Sequence, residues 1–208
     1  MPILRLSDVL PGVSAALLFI ASAVGFGALL DGYVPLAHPL ALLGASGIPH
    51  APAFNLLAWI LPGLLAVAMA VRLLARLPAV GARWPRVAGQ LLLLAGLAFA
   101  GMGLLPLRLD ALDGPASQAH ASAWMAWVLA FSAGALMLGV WRLRQPGARA
   151  SGAVACACAG IAAVAAFGLR GWIPAPLAQG LVFLVWAIWL SAVLPAITVS
   201  VADGGRRR

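Results

Sequence analysis

Six long apolar runs recur along this chain of 208 residues. A helix needs about 20 apolar residues to cross the ~30 Å hydrocarbon layer of a membrane, and each run is close to that length. We expect every run to be helical, because a lone strand in lipid would leave its backbone N–H and C=O groups without partners. The predicted spans are residues 12–30, 54–74, 87–107, 120–141, 151–169 and 177–200.

The composition supports a membrane-embedded chain. Hydrophobic residues make up 64% of the sequence and charged residues 9%, whereas soluble domains carry about 25% charged residues. The formal net charge of +8 does not indicate a nucleic-acid partner, because the arginines stand in short groups between the apolar runs. The sequence therefore predicts an all-α, polytopic integral membrane protein with one transmembrane domain, residues 1–208, and membrane lipids as its surroundings.

The arginines predict the orientation of the spans, since positive residues in short loops are retained on the cytoplasmic side. Only Arg108 and Arg170 fall on the opposite side. The others fall on one side: Arg5, Arg72, Arg76, Arg83, Arg86, Arg142, Arg144, Arg149, Arg206, Arg207 and Arg208. With an even number of spans, both termini are predicted to be cytoplasmic, and the predicted location is the cell inner (plasma) membrane.

Small residues recur at helical spacing in two of the spans. They allow close approach of helix backbones, which drives association inside a membrane. We therefore expect the third and fifth helices to be central and the fifth to be largely covered by its neighbours. The residues concerned are Gly89, Gly96 and Gly103 in the third span, and Gly152, Cys156, Gly160 and Gly168 in the fifth.

Prolines and tryptophans add two further expectations. Pro62 and Pro195 lie inside the second and sixth spans, where each removes one helical hydrogen bond and favours a kink. Two tryptophan pairs, each with members three residues apart, share a helix face and predict a packing or lipid-facing stripe, with a ligand-lining role as the alternative. The pairs are Trp124 with Trp127, and Trp186 with Trp189.

Ionisable residues gather on the predicted exoplasmic side. Carboxylates and imidazoles suit a divalent ion, and together they also suit general acid and base work. The candidate ligand-binding residues are Asp31, His38, His50, Asp110, Asp113 and His120. The amides of Asn55, Gln118 and Gln179 lie near the same ends and could add hydrogen bonds, although such residues also cap helices.

No motif turns these candidates into a defined catalytic or metal site. The sequence has no His-Glu-x-x-His, no Gly-x-Ser-x-Gly and no phosphate-binding loop. A purely structural interpretation is also open, because Asp110 and Asp113 could pair with Arg108 or Arg170 and histidines near water need no role. Catalytic residues, metal ligands and cofactors therefore stay unknown at this level.

The order of short motifs is similar to one known family. The predicted first outer loop contains His38-Pro39-Leu40-Ala41-Leu42-Leu43-Gly44, Phe54-Asn55 opens the second span, and Pro106 is followed by Asp110 or Asp113 and then His120. In this order the chain resembles the bacterial domain of unknown function 998 family, from about Gly12 to Ala202. The resemblance implies six helices and no established activity. Ala41 replaces the family's serine, and Gly180 stands where an arginine is frequent.

Three functions follow as hypotheses. The first is a membrane protein that binds a lipid, a small molecule or a partner at an exoplasmic polar pocket. The alternative is a membrane-embedded hydrolase or metalloenzyme, which requires Asp31, Asp110 or Asp113 within ligand distance of His120 or His38. A transporter is the third, although the sequence shows neither an internal repeat nor broken helices.

Overall fold

The computed structural model describes residues 6–77, 83–169 and 171–206, with side chains described through residue 201. Arg5, Arg170, Arg207 and Arg208 lie outside the described residues. Six helices in the described part of the chain are long and apolar enough to cross a membrane. They are α1 (Leu6–Leu29), α2 (Ala51–Arg76), α3 (Arg83–Leu104), α4 (Pro115–Leu143), α5 (Arg149–Gly168) and α6 (Ala175–Val201).

The six predicted spans coincide with these helices, so the prediction of an all-α fold with six potential spans is confirmed. The helices extend beyond the apolar runs mainly at their polar ends. The first helix, for example, begins at Leu6 instead of Gly12, although Pro11 lies inside it. Pro11 has no N–H for the carbonyl of Ser7 four residues earlier, and this carbonyl instead accepts a hydrogen bond from Arg72 Nη1 at 3.0 Å.

Successive helices run antiparallel. Near the start of α1, Asp8 Oδ1 accepts a hydrogen bond from Arg76 Nη2 at the end of α2, over 2.9 Å. Near the other end of α1, the Phe26 ring lies 5.7 Å from the Phe54 ring at the start of α2. One end of the bundle therefore carries the arginine-rich helix ends, and the loops with the candidate histidines and aspartates lie at the other.

Glycines bring α2 and α3 into backbone contact. A Cβ on Gly63 would lie 2.6 Å from the backbone nitrogen of Ala100 and 2.8 Å from the carbonyl oxygen of Gly96, and a Cβ on Gly103 would lie 2.8 Å from the carbonyl oxygen of Asn55. Gly89 likewise faces Leu74 of α2. The heptad-spaced glycines thus form one packed face, as predicted for the third helix.

The expectation that α5 is central is wrong. Gly152 and Cys156 do pack against Gly139 of α4, but a Cβ on Gly160 would meet nothing, and one on Gly168 would meet only its own helix. Only 33% of the most apolar segment of α5 is buried, against 72% for α6. The small residues of α5 therefore fit one neighbour, and α6 occupies the centre.

Aromatic side chains fill the centre around α6. Trp127, Trp186 and Trp189 are buried, whereas Trp124 is only partly buried. Trp127 stacks on Phe183 with ring centroids 5.1 Å apart. Such pairs add about 1 kcal/mol each beyond the burial of apolar area. Trp127, Trp186 and Trp189 therefore serve packing, and the pairs do not form a lipid-facing stripe.

Wide helical turns precede Pro62 and Pro195. A π-helical segment covers Asn55–Ile60 and ends two residues before Pro62, and another covers Trp189–Val193 and ends two residues before Pro195. A proline ring clashes with the preceding turn of an α-helix and leaves one carbonyl without its donor. The wider turn is the local accommodation that both helices adopt at these positions.

Candidate functional site

The two loops at the histidine-bearing end pack against each other. The backbone N–H of Ser46 in the first loop donates to the carbonyl of Leu107 after α3, over 2.8 Å. Buried Asn55 at the start of α2 donates from Nδ2 to the carbonyl of Gly44 at 2.9 Å. Asn55 therefore holds the 3₁₀ turn at Leu40–Gly44 in place, and its amide has a structural role.

His120 is buried in the second turn of α4 and is bound to the end of α3. Its Nδ1 lies 2.9 Å from the carbonyl oxygen of Leu105 and 3.2 Å from that of Met102. Both acceptors are carbonyls, so Nδ1 carries the proton. Carbonyls at a helix C-terminus lack intrahelical partners, and the imidazole satisfies two of them.

The two aspartates of the second loop have local roles. Asp110 pairs with Arg108, with Arg108 Nη2 2.8 Å from Asp110 Oδ2. The hydrogen bond from Arg108 lowers the pKa of Asp110, and the same bond raises the pKa of Arg108. Asp113 is exposed, and its backbone carbonyl accepts a hydrogen bond from Gln118 Nε2 at 2.9 Å. The predicted pairing of Asp110 with Arg108 is therefore present.

The remaining candidates lie on the first loop. Asp31 and His50 are exposed, and His50 adopts a positive φ of 63° directly before α2. The Nδ1 atom of His38 accepts a hydrogen bond from the Val34 backbone N–H at 3.0 Å, and its ring lies 5.9 Å from that of Tyr33. Partial burial raises the pKa of Tyr33. These contacts hold the loop together.

The six candidates thus share one end of the bundle without forming one cluster. Among the side chains that the structure describes, in residues 6–77, 83–169 and 171–201, no three of His, Cys, Asp or Glu lie close enough together to share a metal ion. The same residues contain Asp–Arg ion pairs but no Asp–His pair. Within these ranges, the six candidates therefore do not converge on one another.

A pocket of about 300 Å³ opens at the same end of the bundle, between α4, α5 and α6. Its walls are the Trp124 and Met125 side chains of α4, the π-helical end of α5 (Val164–Gly168), and the first turns of α6. The lining is mostly apolar. Its volume is at the lower limit of the ~300–1,000 Å³ typical of small-ligand sites.

Gln179 is the side-chain amide in the lining of this pocket. It lies in the second turn of α6, and its amide has no hydrogen-bond partner among the described residues. It can therefore both donate to and accept from a bound molecule. An apolar cleft with one free amide can hold an apolar molecule and orient its polar end.

The sequence singled out Gln179 and Trp124 but did not place them together. The pocket results from the way α5 ends: its last turn is wide, and Gly171 follows with a φ of 83°. A positive φ favours glycine, so Gly171 was the available signal for a sharp reversal at this point. No protein-family model, curated protein or solved structure matches the chain.

Proposed function

We propose that this chain is a multi-pass membrane protein of the bacterial inner membrane that binds a lipid chain or a small apolar molecule. The pocket between α4, α5 and α6 is the binding site. The observation that carries this proposal is an apolar cleft of about 300 Å³ with a free amide, at the end of the bundle opposite the arginine-rich helix ends. Such a cleft suits an apolar body with one polar end.

The outer surface supports a lipid environment. Large apolar side chains point outward along the middle of the helices, among them Leu17 and Val24 of α1 and Leu129 and Leu136 of α4. Exposed large apolar side chains occur on all six helices, and such a surface is unusual in soluble proteins. The orientation we propose has both termini in the cytoplasm, because most of the arginines flank the end of the bundle opposite the pocket.

Trp84 and Trp172 support the same arrangement. Their surfaces are 70% and 85% exposed, respectively, at opposite ends of the bundle. Tryptophan favours the boundary between lipid and water, where its ring is in an apolar layer and its N–H reaches polar groups. The pocket would then open near the outer boundary, where the polar end of a bound lipid belongs.

A filling substitution tests the site. Ala166→Phe places a ring in the pocket wall, whereas Ala157→Phe makes the same change at an exposed position earlier in α5. We expect wild-type protein in nanodiscs to bind a fluorescent polyene fatty acid, Ala166→Phe to bind it about tenfold more weakly or worse, and Ala157→Phe to bind it normally. A tenfold change corresponds to about 1.4 kcal/mol.

The Gln179→Ala variant tests the polar end. We expect this variant to bind the fatty acid about threefold to tenfold more weakly, which corresponds to the loss of roughly one hydrogen bond. Native mass spectrometry of the same nanodiscs reads co-purified lipid and divalent metal together. Equal fatty-acid binding by Ala166→Phe and wild type would refute the pocket as the site, and a stoichiometric metal lost in His120→Ala would favour the enzymatic alternative.

A further inference from the structure

Arg142 is buried without a carboxylate beside it in the described part of the chain. It lies in the last turn of α4, and its surface is only 7% exposed. The described carboxylate at the same end of the bundle is that of Asp8, and it is already paired with Arg76. A guanidinium stays protonated in proteins, so the site holds a full positive charge. An uncompensated buried charge is strongly unfavourable, so the charge calls for an anion from outside the described chain.

One edge of the guanidinium is fixed by a neutral oxygen. Arg142 Nε and Nη2 both lie 3.3 Å from the hydroxyl oxygen of Ser151 in the first turn of α5. The Ser151 hydroxyl in turn donates to the Ala148 carbonyl at 2.9 Å. The Trp141 ring lies 5.9 Å from the Arg142 Cζ atom. These contacts orient the guanidinium plane but do not neutralise its charge.

The opposite edge is available to a ligand. Arg142 Nη1 has no hydrogen-bond partner among the described residues. It also keeps some accessible surface, unlike the fully buried unpaired nitrogens of the tryptophans. The Arg142 side chain is therefore buried, while Nη1 is not completely enclosed by the described residues. Arginine presents its N–H groups in a rigid fork that matches the oxygens of a phosphate.

Two exposed arginines lie near Arg142 in sequence. Arg144 and Arg149 lie at either end of the short turn that joins α4 to α5, and both are exposed. Positive charges that share one short turn raise the local concentration of anions. Basic sites between helices at the arginine-rich side of a membrane protein suit the head groups of acidic lipids.

We propose that Arg142, oriented by Ser151 and flanked by Arg144 and Arg149, binds a phosphate-bearing anion at the α4–α5 turn. The anion is either the phosphodiester of an acidic lipid or a free phosphate, and both present the same oxygens to Nη1. This site lies at the other end of the bundle from the α4–α5–α6 pocket. Its occupancy is therefore independent of the function proposed for that pocket.

The test compares lipids that differ in net charge. Purified protein in a neutral detergent is titrated with phosphatidylglycerol or phosphatidylcholine and read by native mass spectrometry, and a parallel thermal-shift series uses inorganic phosphate. We expect wild type to prefer phosphatidylglycerol and Arg142→Gln to bind it about tenfold more weakly or worse. The matched variant Arg83→Gln, at an exposed position at the start of α3, should change binding by less than about threefold, because an exposed charge outside the site contributes little.

The two sources of phosphate give different patterns. Preferential binding of phosphatidylglycerol without a thermal shift in inorganic phosphate assigns a lipid head group, and a thermal shift in inorganic phosphate that Arg142→Gln abolishes, without a preference for phosphatidylglycerol, assigns a free anion. Ser151→Ala keeps the Arg142 charge but removes the hydroxyl that orients its guanidinium. We therefore expect weaker binding of phosphatidylglycerol with an intact fold. This variant serves as a second test if Arg142→Gln does not fold.

Three results would overturn the proposal. The first is a wild-type protein that shows no preference for phosphatidylglycerol and no phosphate shift. The second is an Arg142→Gln variant that binds phosphatidylglycerol like wild type. The third concerns Asp203, whose side chain lies outside the described residues. If Asp203→Asn lowers the melting temperature as much as Arg142→Gln and neither variant alters lipid binding, then the chain itself supplies the counter-ion.

Discussion

Nδ1 of His120 lies 2.9 Å from the carbonyl oxygen of Leu105, so a side chain of α4 caps the end of α3. This contact makes His120 a structural residue, and we expect His120→Ala to lower the free energy of unfolding by about 1–3 kcal/mol, because it leaves buried carbonyls without a donor. His120→Asn keeps a donor near the same place and should recover part of this loss. Denaturation in detergent micelles measures both changes.

A second histidine provides the control for this prediction. His50 is exposed and adopts a positive φ that asparagine also tolerates. His50→Asn should therefore change the free energy of unfolding by no more than about 0.5 kcal/mol. If His120→Ala were as mild as His50→Asn, the capping role of His120 would be refuted.

The contact between Gly63 and Gly96 supports a prediction on packing. A Cβ at Gly63 would lie 2.8 Å from the carbonyl oxygen of Gly96, and backbone atoms cannot move away cheaply. We expect Gly63→Ala to cost about 1–3 kcal/mol through overpacking. Gly160→Ala enters open space on α5 and should be neutral or stabilise the helix by about 0.5–1 kcal/mol. Similar melting temperatures for the two variants would contradict this account of the α2–α3 interface.

The sequence predicted the helices well because membrane crossing depends on length and polarity, which are properties of each segment alone. It also identified the packed face of α3, since Gly89, Gly96 and Gly103 recur at the heptad spacing. The same reasoning was wrong for α5. Its small residues meet one neighbour through Gly152 and Cys156, while Gly160 faces outward, and the covering of a helix depends on where all the others lie.

The candidate site was predicted less completely for a related reason. Helix orientation correctly brought the aspartates and histidines to one end, but contacts between side chains depend on loop paths that a single sequence does not specify. Asp110 forms an ion pair with Arg108, and His120 hydrogen-bonds the carbonyl of Leu105. Each side chain therefore already has a partner other than the remaining candidates. The pocket with Gln179 needs three helices to diverge at one point, and spacing within one helix carries no such information.

Tyr33 gives a prediction on pH, because it is the only tyrosine in the chain. Partial burial raises its pKa above the ordinary value of 10.0. The folded state therefore holds the phenol proton more tightly than the unfolded state does. The resulting stability is complete below pH 10 and is lost as the pH rises through the folded pKa.

Phenolate absorbance measures this effect directly. We expect the folded protein to titrate at a higher pH than the same protein in denaturant. Tyr33→Phe should remove the absorbance change and flatten the loss of stability above pH 10. Identical titration midpoints for folded and denatured protein would show that the Tyr33 ring is fully hydrated.

Labelling of single cysteines tests the proposed orientation. In a background with Cys156→Ala and Cys158→Ala, Ala37→Cys places a thiol on the exposed first loop and Arg144→Cys places one on the exposed α4–α5 turn. Arginine-rich loops are retained in the cytoplasm. We therefore expect a membrane-impermeant maleimide to label Ala37→Cys in intact cells and Arg144→Cys only after permeabilisation. The reverse labelling pattern would show that the bundle has the opposite orientation in the membrane. The α4–α5–α6 pocket would then open toward the cytoplasm.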